Sequence, residues 1–212
     1  MFFDRSEAGR ELAEALRDRV DAGAVVLAIP RGGVVVGEVV ARELGLPLDI
    51  VIPRKIRAPD NPELGLGAIA PGVRVLDDRL VEMLGVTAEY LEREIEAEEA
   101  EIGRRQRVYR GRRPPQEVRG KTAVVVDDGI ATGGTMAAAL RWARAAGAAR
   151  VILAVPVAPP AALPRMSKEA DELVVLETPE PFYAVGQWYR SFEQTSDREV
   201  VEALARAAEG RS

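Results

Sequence analysis

The 212-residue sequence contains no cysteine and no histidine, and only 5% of its residues are aromatic. Without cysteine, disulfides, thiolate nucleophiles and cysteine-rich zinc sites are excluded. Without histidine, a Ser-His-Asp triad is excluded, and the side chain that most often acts as a general base near neutral pH is missing. Any catalysis would therefore rely on carboxylates, lysine or arginine, backbone N–H groups and a hard cation such as Mg²⁺.

Long apolar runs and basic tracts are also missing. No apolar run approaches the roughly 20 residues that span a bilayer. The formal net charge is −5 and no polybasic segment occurs, which argues against a mainly electrostatic nucleic-acid binder. The N-terminal stretch is charged and amphipathic, without the apolar centre of a secretion signal. We therefore expect a cytoplasmic protein with neither a membrane nor a nucleic acid as partner.

Short apolar runs that alternate with amphipathic segments predict an α/β fold. The runs "AVVLAI", "PLDIVI", "KTAVVV", "ARVILAVPV" and "ELVVLE" are typical of buried parallel strands. Helices are predicted over 6–20, 35–44, 87–109 and 136–146, and a last helix is predicted to begin at the capping box of Ser196 and Glu199. The pattern predicts a doubly wound, mostly parallel open sheet of about five strands flanked by helices, with ligands at the carboxyl ends of the strands.

The segment between the second strand and the long helix is harder to interpret. "PRKIRAPDNPELG" (53–65) is rich in proline and charge and is predicted to be a mobile loop, and "LGAIAPGVRVL" (66–76) one or two short strands. We expect one domain over 1–212. Its core would span about 20–176, with a helical insertion at 87–110 that could serve dimerisation and a small hood at about 177–195 beside the terminal helices.

The stretch "VVVDDGIATGGT" (124–135) carries the clearest chemical signal. A buried strand would end at about Val126, which places Asp127 and Asp128 at the carboxyl edge of the sheet. The glycines that follow permit a loop whose N–H groups converge at a helix N-terminus, where a phosphate binds well. Vicinal hydroxyls of a ribose are natural hydrogen-bond donors to the two carboxylates. The stretch therefore predicts a site for a ribose 5-phosphate.

Three other interpretations of the glycine-rich stretches fit the sequence less well. A P-loop needs a lysine after its second glycine, and the stretch lacks it. "GLGAIA" (65–70) resembles a dinucleotide-binding fingerprint, but no buried strand precedes it and no helix is predicted after it. A strand-to-helix turn with a solvated aspartate pair is the plain alternative, and the Ala-Thr-Gly-Gly-Thr continuation argues against it.

The same stretch resembles the phosphoribosyl-pyrophosphate (PRPP) signature of type I phosphoribosyltransferases. The resemblance implies a 5-phosphate loop formed by Ile130, Ala131, Thr132, Gly133, Gly134 and Thr135. It implies a diphosphate loop in "AIPRGG" (28–33), with Arg31, Gly32 and Gly33 as ligands and a cis peptide bond between Pro30 and Arg31. It further implies a flexible loop that supplies Arg54, Lys55 and Arg57 to the diphosphate.

An acceptor site is expected in the hood, where most of the aromatic residues lie. Aromatic faces stack on flat heterocycles, so Phe182, Tyr183 and Trp188 are the candidate acceptor ligands. A packed core or an interface is an equally open interpretation of this cluster. No hood motif identifies the acceptor.

By this resemblance, the chain is expected to transfer ribose 5-phosphate from PRPP to a nitrogen of a small heterocyclic acceptor, such as a purine or pyrimidine base. The candidate catalytic residues are Asp127, Asp128, Arg31 and Lys55. Mg²⁺ is the expected cofactor, carried by the substrate, with the two aspartates as its candidate protein ligands. A homodimer or higher homo-oligomer is expected. Two alternatives remain open: a non-catalytic sensor that keeps the phosphoribosyl pocket, and an enzyme that transfers to water or to an acceptor other than a nucleobase.

Overall fold

The computed structural model describes residues 1–209, apart from the side chains of residues 62 and 63, so 210–212 of the predicted domain lie outside the described residues. Alternating strands and helices follow the order expected of an α/β chain. The helices are α1 (Arg5–Leu16), α2 (Gly32–Leu44), α3 (Asp78–Met83), α4 (Ala88–Arg110), α5 (Gly134–Ala145), α6 (Leu163–Met166) and α7 (Asp197–Glu209). The strands are β1 (Val25–Ala28), β2 (Leu48–Ile50), β3 (Arg54–Ala58), β4 (Asn61–Ala70), β5 (Val73–Leu76), β6 (Thr122–Val126), β7 (Arg150–Val157) and β8 (Glu172–Glu177).

Five strands form one parallel sheet in the order β2-β1-β6-β7-β8. The chain runs from β1 outward to β2 and then returns to the other side of β1 to form β6. The strand order therefore reverses between β1 and β6, and a crevice opens there at the carboxyl ends of the strands. The predicted fold class, a doubly wound parallel sheet of about five strands, is confirmed.

The apolar runs are continuous because both faces of the sheet are covered by helices. Val26 and Ala28 face a core that includes Leu12 and Leu16 of α1, together with residues of α2 and α7. The intervening Val25 and Leu27 face a second core built mainly on α5. The alternation along one strand thus divides its side chains between two layers.

A second sheet corrects the prediction of a mobile loop at 53–65. That segment forms β3 and the start of β4, which pair antiparallel, and β5 adds to the other edge of β4. Pro59 and Asp60 occupy only the tight turn between the two strands. Ile56, Leu66 and Ile69 are buried and join the first core. The prediction was wrong because the proline and charged residues at the turn obscured the strand-like alternation of buried and partly exposed residues at the end of β3.

The long helix α4 lies close to its predicted bounds and packs within the chain, against β3, β4 and α7. Its sparse apolar stripe, with Ile95, Ile102 and Tyr109 buried, is sufficient to fix it there. Helix α7 begins at the predicted capping box, since the Ser196 hydroxyl accepts from the Glu199 N–H (3.2 Å) and the Glu199 carboxylate accepts from the Ser196 N–H (2.7 Å). Part of the first core is therefore closed by two helices that were read correctly from the sequence.

Candidate functional site

Two loops meet at the point where the strand order reverses. β1 ends at Ala28 and β6 at Val126, and these two residues are partners in the parallel register. The Ile29 N–H donates to the Val126 carbonyl (2.9 Å), so the pairing continues one residue into the loops. The predicted diphosphate loop and the predicted acid motif are therefore neighbours in space, although almost a hundred residues separate them in the chain.

The glycine pair of the first loop packs directly on the acid pair of the second. A Cβ atom at Gly32 would lie 1.9 Å from Asp128 Oδ2, and one at Gly33 would lie 2.8 Å from both the Cα and Oδ1 of Asp127. Only residues without a side chain allow this approach. The Pro30–Arg31 peptide bond is cis, in agreement with what the resemblance implies. Gly32, Gly33, Asp127 and Asp128 thus form one continuous surface.

The environment of Asp127 disfavours its charged form. Burial of the carboxyl group raises its pKa well above the usual range, and the neighbouring Asp128 carboxylate raises it further. The Asp128 N–H opposes this shift by donating to Asp127 Oδ1 (2.8 Å). Part of the Asp127 surface still reaches the adjoining pocket. The group can therefore accept a hydroxyl hydrogen bond as a carboxylate or donate one as a carboxylic acid.

Asp128 is held by two residues that sequence analysis did not select. Arg5 donates from Nε to Asp128 Oδ2 (2.8 Å), and the Tyr189 hydroxyl donates to the Asp128 backbone carbonyl (2.6 Å). Burial, followed by the nearby Asp128 charge, raises the pKa of the Tyr189 phenol, so the hydroxyl stays protonated as the donor. Tyr189 belongs to the aromatic cluster of the hood, but no local pattern links it or Arg5 to Asp128, because 61 and 123 positions separate them from it.

A pocket of about 160 Å³ opens beside Asp127, and the predicted phosphate loop forms most of its wall. Gly133 adopts a left-handed conformation (φ 78°) just before α5 begins at Gly134. The first N–H groups of a helix have no intrahelical acceptor, so those of Gly134 and Thr135 suit an anion. Ala131 and Thr132 are exposed and line the pocket. The Ile130 N–H is already used, since it donates to the Val157 carbonyl (2.9 Å).

The predicted diphosphate cations are distributed over two places. Arg31 lies on the diphosphate loop, with Nη1 3.6 Å from Oδ1 of Asp197. Arg54 and Arg57 instead form ion pairs with the buried Glu98 of α4, at 2.5 and 2.6 Å. The aliphatic part of the Lys55 side chain lies over Gly65 on the adjacent strand. In this structure Arg54 and Arg57 are therefore paired with α4 and not with the acid pair.

The predicted acceptor ligands Phe182, Tyr183 and Trp188 are not among the residues that line this pocket. Phe182 stacks on Trp188, with ring centroids 6.3 Å apart, and the Tyr183 side chain is 79% exposed. Val185 is the residue of this segment that lines the pocket, and a Cβ at Gly129 would lie only 2.5 Å from it. A valine is not a recognisable ligand in a sequence, so this contact was missed.

The donor atoms fit Mg²⁺ only in part. Among residues 1–209, no group of three or more acidic side chains is arranged to hold a metal ion by itself. Asp127 and Asp128 offer hard oxygen donors, and Arg5 already engages one oxygen of Asp128. Mg²⁺ prefers six oxygen ligands and commonly takes several from substrate phosphates and water. The site therefore fits a cation that arrives with its substrate.

Larger cavities lie away from this crevice. One of about 300 Å³ is lined by Pro47 and Leu48 at the start of β2 and by Arg110, Arg113 and Leu204. It lies at the amino ends of the strands, whereas ligands of open α/β sheets bind at the carboxyl ends. The pocket beside Asp127 lies at the carboxyl ends and is lined by the polar groups that a phosphorylated ligand needs.

In the part of the chain that the structure describes, none of the helices is both long enough and apolar enough to cross a bilayer.

Comparison with known proteins agrees with this geometry. The family model described as a phosphoribosyl transferase domain matches residues 4–187. A protein of Mycobacterium tuberculosis named "Putative phosphoribosyl transferase" is 47% identical over 208 residues, which cover 98% of this chain and 47% of that protein. The chain therefore spans about half the length of this curated relative.

Two solved structures show the same architecture. The crystal structure of TT1426 from Thermus thermophilus has a TM-score of 0.83 and 44% identity, and the match covers 97% of this chain and 99% of that one. The AQ2163 protein of Aquifex aeolicus, at 16% identity and a TM-score of 0.51, covers 86% of this chain and 76% of its own, and supports the fold alone. With a family model that covers most of its length and a signature loop at the point where the sheet order reverses, the chain belongs to the phosphoribosyl transferase domain family.

Proposed function

We propose that this chain transfers ribose 5-phosphate from PRPP to a nitrogen of a small heterocyclic acceptor, a purine or pyrimidine base or a related ring, and releases diphosphate. One observation carries the proposal: Gly32 and Gly33 of one loop lie against Asp128 and Asp127 of the next, beside an N–H-rich loop. The three chemical parts of PRPP, namely its phosphate, its hydroxylated sugar and its diphosphate, each have a matching surface within this crevice.

The 5-phosphate would bind at the N-terminus of α5. The N–H groups of the first helical turn and the hydroxyls of Thr132 and Thr135 are its candidate donors. Asp127 and Asp128 would accept hydrogen bonds from the ribose hydroxyls. Anchoring the sugar at both ends holds the anomeric carbon in place, and such positioning can lower a barrier by about 7 kcal/mol or more.

The departing diphosphate would lie on the β1 side of the acid pair, at the loop that carries Arg31, Gly32 and Gly33. Negative charge grows on this group as the bond to the anomeric carbon breaks. A fixed guanidinium stabilises that charge without reorganising solvent. When bound with the substrate, Mg²⁺ would supply further positive charge to the diphosphate oxygens.

The acceptor would approach from the opposite side, because the reaction is expected to invert the anomeric carbon. The sheet order places β7 and β8 on that side of β6. Val185 and Gly129 lie there, and the stacked Phe182 and Trp188 stand behind them. The predicted role of the hood aromatics as acceptor ligands, the predicted homo-oligomer and the predicted cytoplasmic location stay predictions.

The proposal is tested by titration calorimetry with PRPP in the presence of Mg²⁺. Replacing Asp127 and Asp128 together by alanine should weaken binding at least about a hundredfold, since hydrogen bonds to charged groups contribute about 1.5–3 kcal/mol each. The exposed neighbours Asp77 and Asp78 at the start of α3 provide the matched control, because their double replacement removes the same charge far from the crevice. Equal affinity in the two double variants would contradict the site.

Turnover is tested separately. Purines, pyrimidines and related heterocycles are incubated with PRPP and Mg²⁺, and products are read by mass spectrometry together with diphosphate release. A phosphoribosylated product establishes the transferase and identifies its acceptor. Diphosphate release without any acceptor would indicate hydrolysis, and tight binding without turnover across the panel would indicate a sensor.

A further inference from the structure

The guanidinium of Arg5 reaches the acid pair from outside the strand-and-loop core. Arg5 is the first residue of α1, whose start is fixed by Asp4, since Asp4 Oδ1 accepts from the Glu7 N–H (2.8 Å). On the other side, the Phe2 N–H donates to the Trp188 carbonyl (2.8 Å) and the Phe2 carbonyl accepts from the Arg190 N–H (2.9 Å). The backbone that carries Arg5 is therefore anchored in both directions.

Three contacts hold the Arg5 side chain in a single orientation. Its Nε donates to Asp128 Oδ2 (2.8 Å), and its Nη1 donates to the Glu193 carbonyl (2.8 Å). Its Cζ lies 3.9 Å from the centroid of the Phe192 ring, where a guanidinium is attracted to the aromatic face. The side chains of Arg5 and Asp128 are 11% and 15% exposed, so water screens their attraction only weakly.

This ion pair lies against the proposed diphosphate loop. A Cβ atom at Gly32 would lie 2.9 Å from Arg5 Nε as well as 1.9 Å from Asp128 Oδ2. Arg5, Asp128 and the loop are thus packed without a gap. If the Asp128 carboxylate moved, the loop would have to shift with it. Loss of Arg5 would remove a side chain that contacts both Asp128 and the loop.

We propose that Arg5 is a positioning residue of the phosphoribosyl site, and that its guanidinium fixes the Asp128 carboxylate in the orientation in which it receives the ribose hydroxyls of PRPP. The inference rests on the proposed function. Two adjacent carboxylates repel each other, and a charge-assisted hydrogen bond from Arg5 offsets that repulsion while it fixes the rotamer of Asp128. PRPP then binds a prepared carboxylate instead of ordering a mobile one.

The first test compares the affinity for PRPP and Mg²⁺ among three variants by calorimetry. Arg5→Ala should weaken binding at least about tenfold, because a charge-assisted hydrogen bond to a partly buried carboxylate is lost. Arg5→Lys should lie between this variant and the wild type, since lysine keeps the charge but not the planar fork. Arg10→Ala, an exposed arginine of the same helix, is the control and should bind like the wild type. Equal affinity of Arg5→Ala and the wild type would overturn the inference.

The second test asks whether Arg5 acts through Asp128. In the Asp128→Asn background, the further change Arg5→Ala should alter the affinity by less than about twofold, because coupled residues do not contribute additively. The same factor in both backgrounds would show a merely structural role and overturn the inference.

Millimolar guanidinium, with urea as the control solute, should restore part of the affinity of Arg5→Ala. Should the Asp128→Asn variants bind too weakly to measure, absence of this rescue decides against Arg5.

The failures of the two proposals are distinguishable. A wild-type protein that does not bind PRPP at all contradicts the proposed function and the role of Arg5 with it. A wild type that binds PRPP, together with additive effects and no rescue by guanidinium, contradicts only the role of Arg5.

Discussion

At the scale of single residues, the crevice depends on the absence of a side chain at Gly32. The Asp128 carboxylate occupies the space that any side chain at this position would need. The requirement is steric and does not involve a positive φ, since Gly32 is the first residue of α2. Sequence inspection selected Gly32 for its approach to a diphosphate, and the structure adds a second reason, its contact with the acid pair.

This contact predicts the outcome of Gly32→Ala. The added Cβ must displace Asp128 or the loop, so we expect a loss of about 1–3 kcal/mol in the free energy of unfolding, as for other overpacked sites, and weaker binding of PRPP. Urea denaturation followed by circular dichroism measures the first effect. Gly134→Ala is the control for stability, because nothing lies within 4 Å of a Cβ there. Equal stability of the two variants would contradict the packing described for Gly32.

At the scale of elements, α4 shows how a strongly charged sequence forms a stable helix. Thr87 caps its start by accepting from the Tyr90 N–H (3.2 Å), and Ile95 and Ile102 are buried. On its more exposed side, Glu101 accepts from Arg104 Nε (2.7 Å) and from Arg105 Nε (2.7 Å). The hydrogen bond from Arg104, followed in size by the one from Arg105, lowers the pKa of Glu101 to about 2.

The lowered pKa of Glu101 predicts a pH-dependent effect of Glu101→Gln. A carboxyl group whose pKa is lowered in the folded state stabilises the protein at pH values above its usual pKa of 4.5. This contribution disappears as the pH falls towards 2. We expect a loss of about 0.5 kcal/mol near pH 7 that fades below pH 4.5. Thermal unfolding across this pH range measures it. Glu96→Gln, an exposed position of the same helix, is the control, and the same pH dependence in both variants would contradict the assignment.

The elements also show where periodicity misleads. The buried strands of the parallel sheet were recognised because both faces are covered and nearly every residue is apolar. Strand β3 of the hairpin is partly exposed, so it carries arginine and lysine beside the buried Ile56 and Ala58. Arg54 and Arg57, two of the cations that suggested a mobile diphosphate loop, instead bind Glu98 of α4. Their pairing depends on a helix that lies about 40 residues further along the chain.

At the scale of the whole molecule, one buried tyrosine joins three parts of the chain. Tyr109 of α4 is 1% exposed, and its hydroxyl donates to Oδ1 of Asp197 at the start of α7 (2.8 Å). The same oxygen lies 3.6 Å from Nη1 of Arg31 in the proposed diphosphate loop. Burial, followed by the hydrogen bond to Asp197, raises the pKa of the Tyr109 phenol, so the hydroxyl remains a donor.

We therefore predict that Tyr109→Phe destabilises the protein. Loss of a hydrogen bond to a charged acceptor should reduce the free energy of unfolding by about 1.5–3 kcal/mol. Denaturant unfolding measures the change, and Tyr183→Phe provides the control because that side chain is 79% exposed. An unchanged denaturation midpoint for Tyr109→Phe would show that the hydrogen bond to Asp197 adds no net stability to the folded protein.

The sequence by itself determined the parts of this protein that local chemistry specifies. The buried strands, the capped helices, the Asp-Asp-Gly motif and the glycines after β1 and β6 could be read because each is a pattern within about a dozen residues. The class of fold and the family followed from them. These patterns also placed both loops at strand ends, where a doubly wound sheet binds its ligands.

Only the tertiary structure decided which residues complete the site. Arg5 meets Asp128 from 123 positions away, Val185 covers Gly129, and Arg54 and Arg57 bind Glu98 instead of reaching the acid pair. The chain contains many arginines, and nothing local distinguishes the one that will face a carboxylate. That choice is made by the packing of whole helices and sheets, because the partners are brought together only when the core closes.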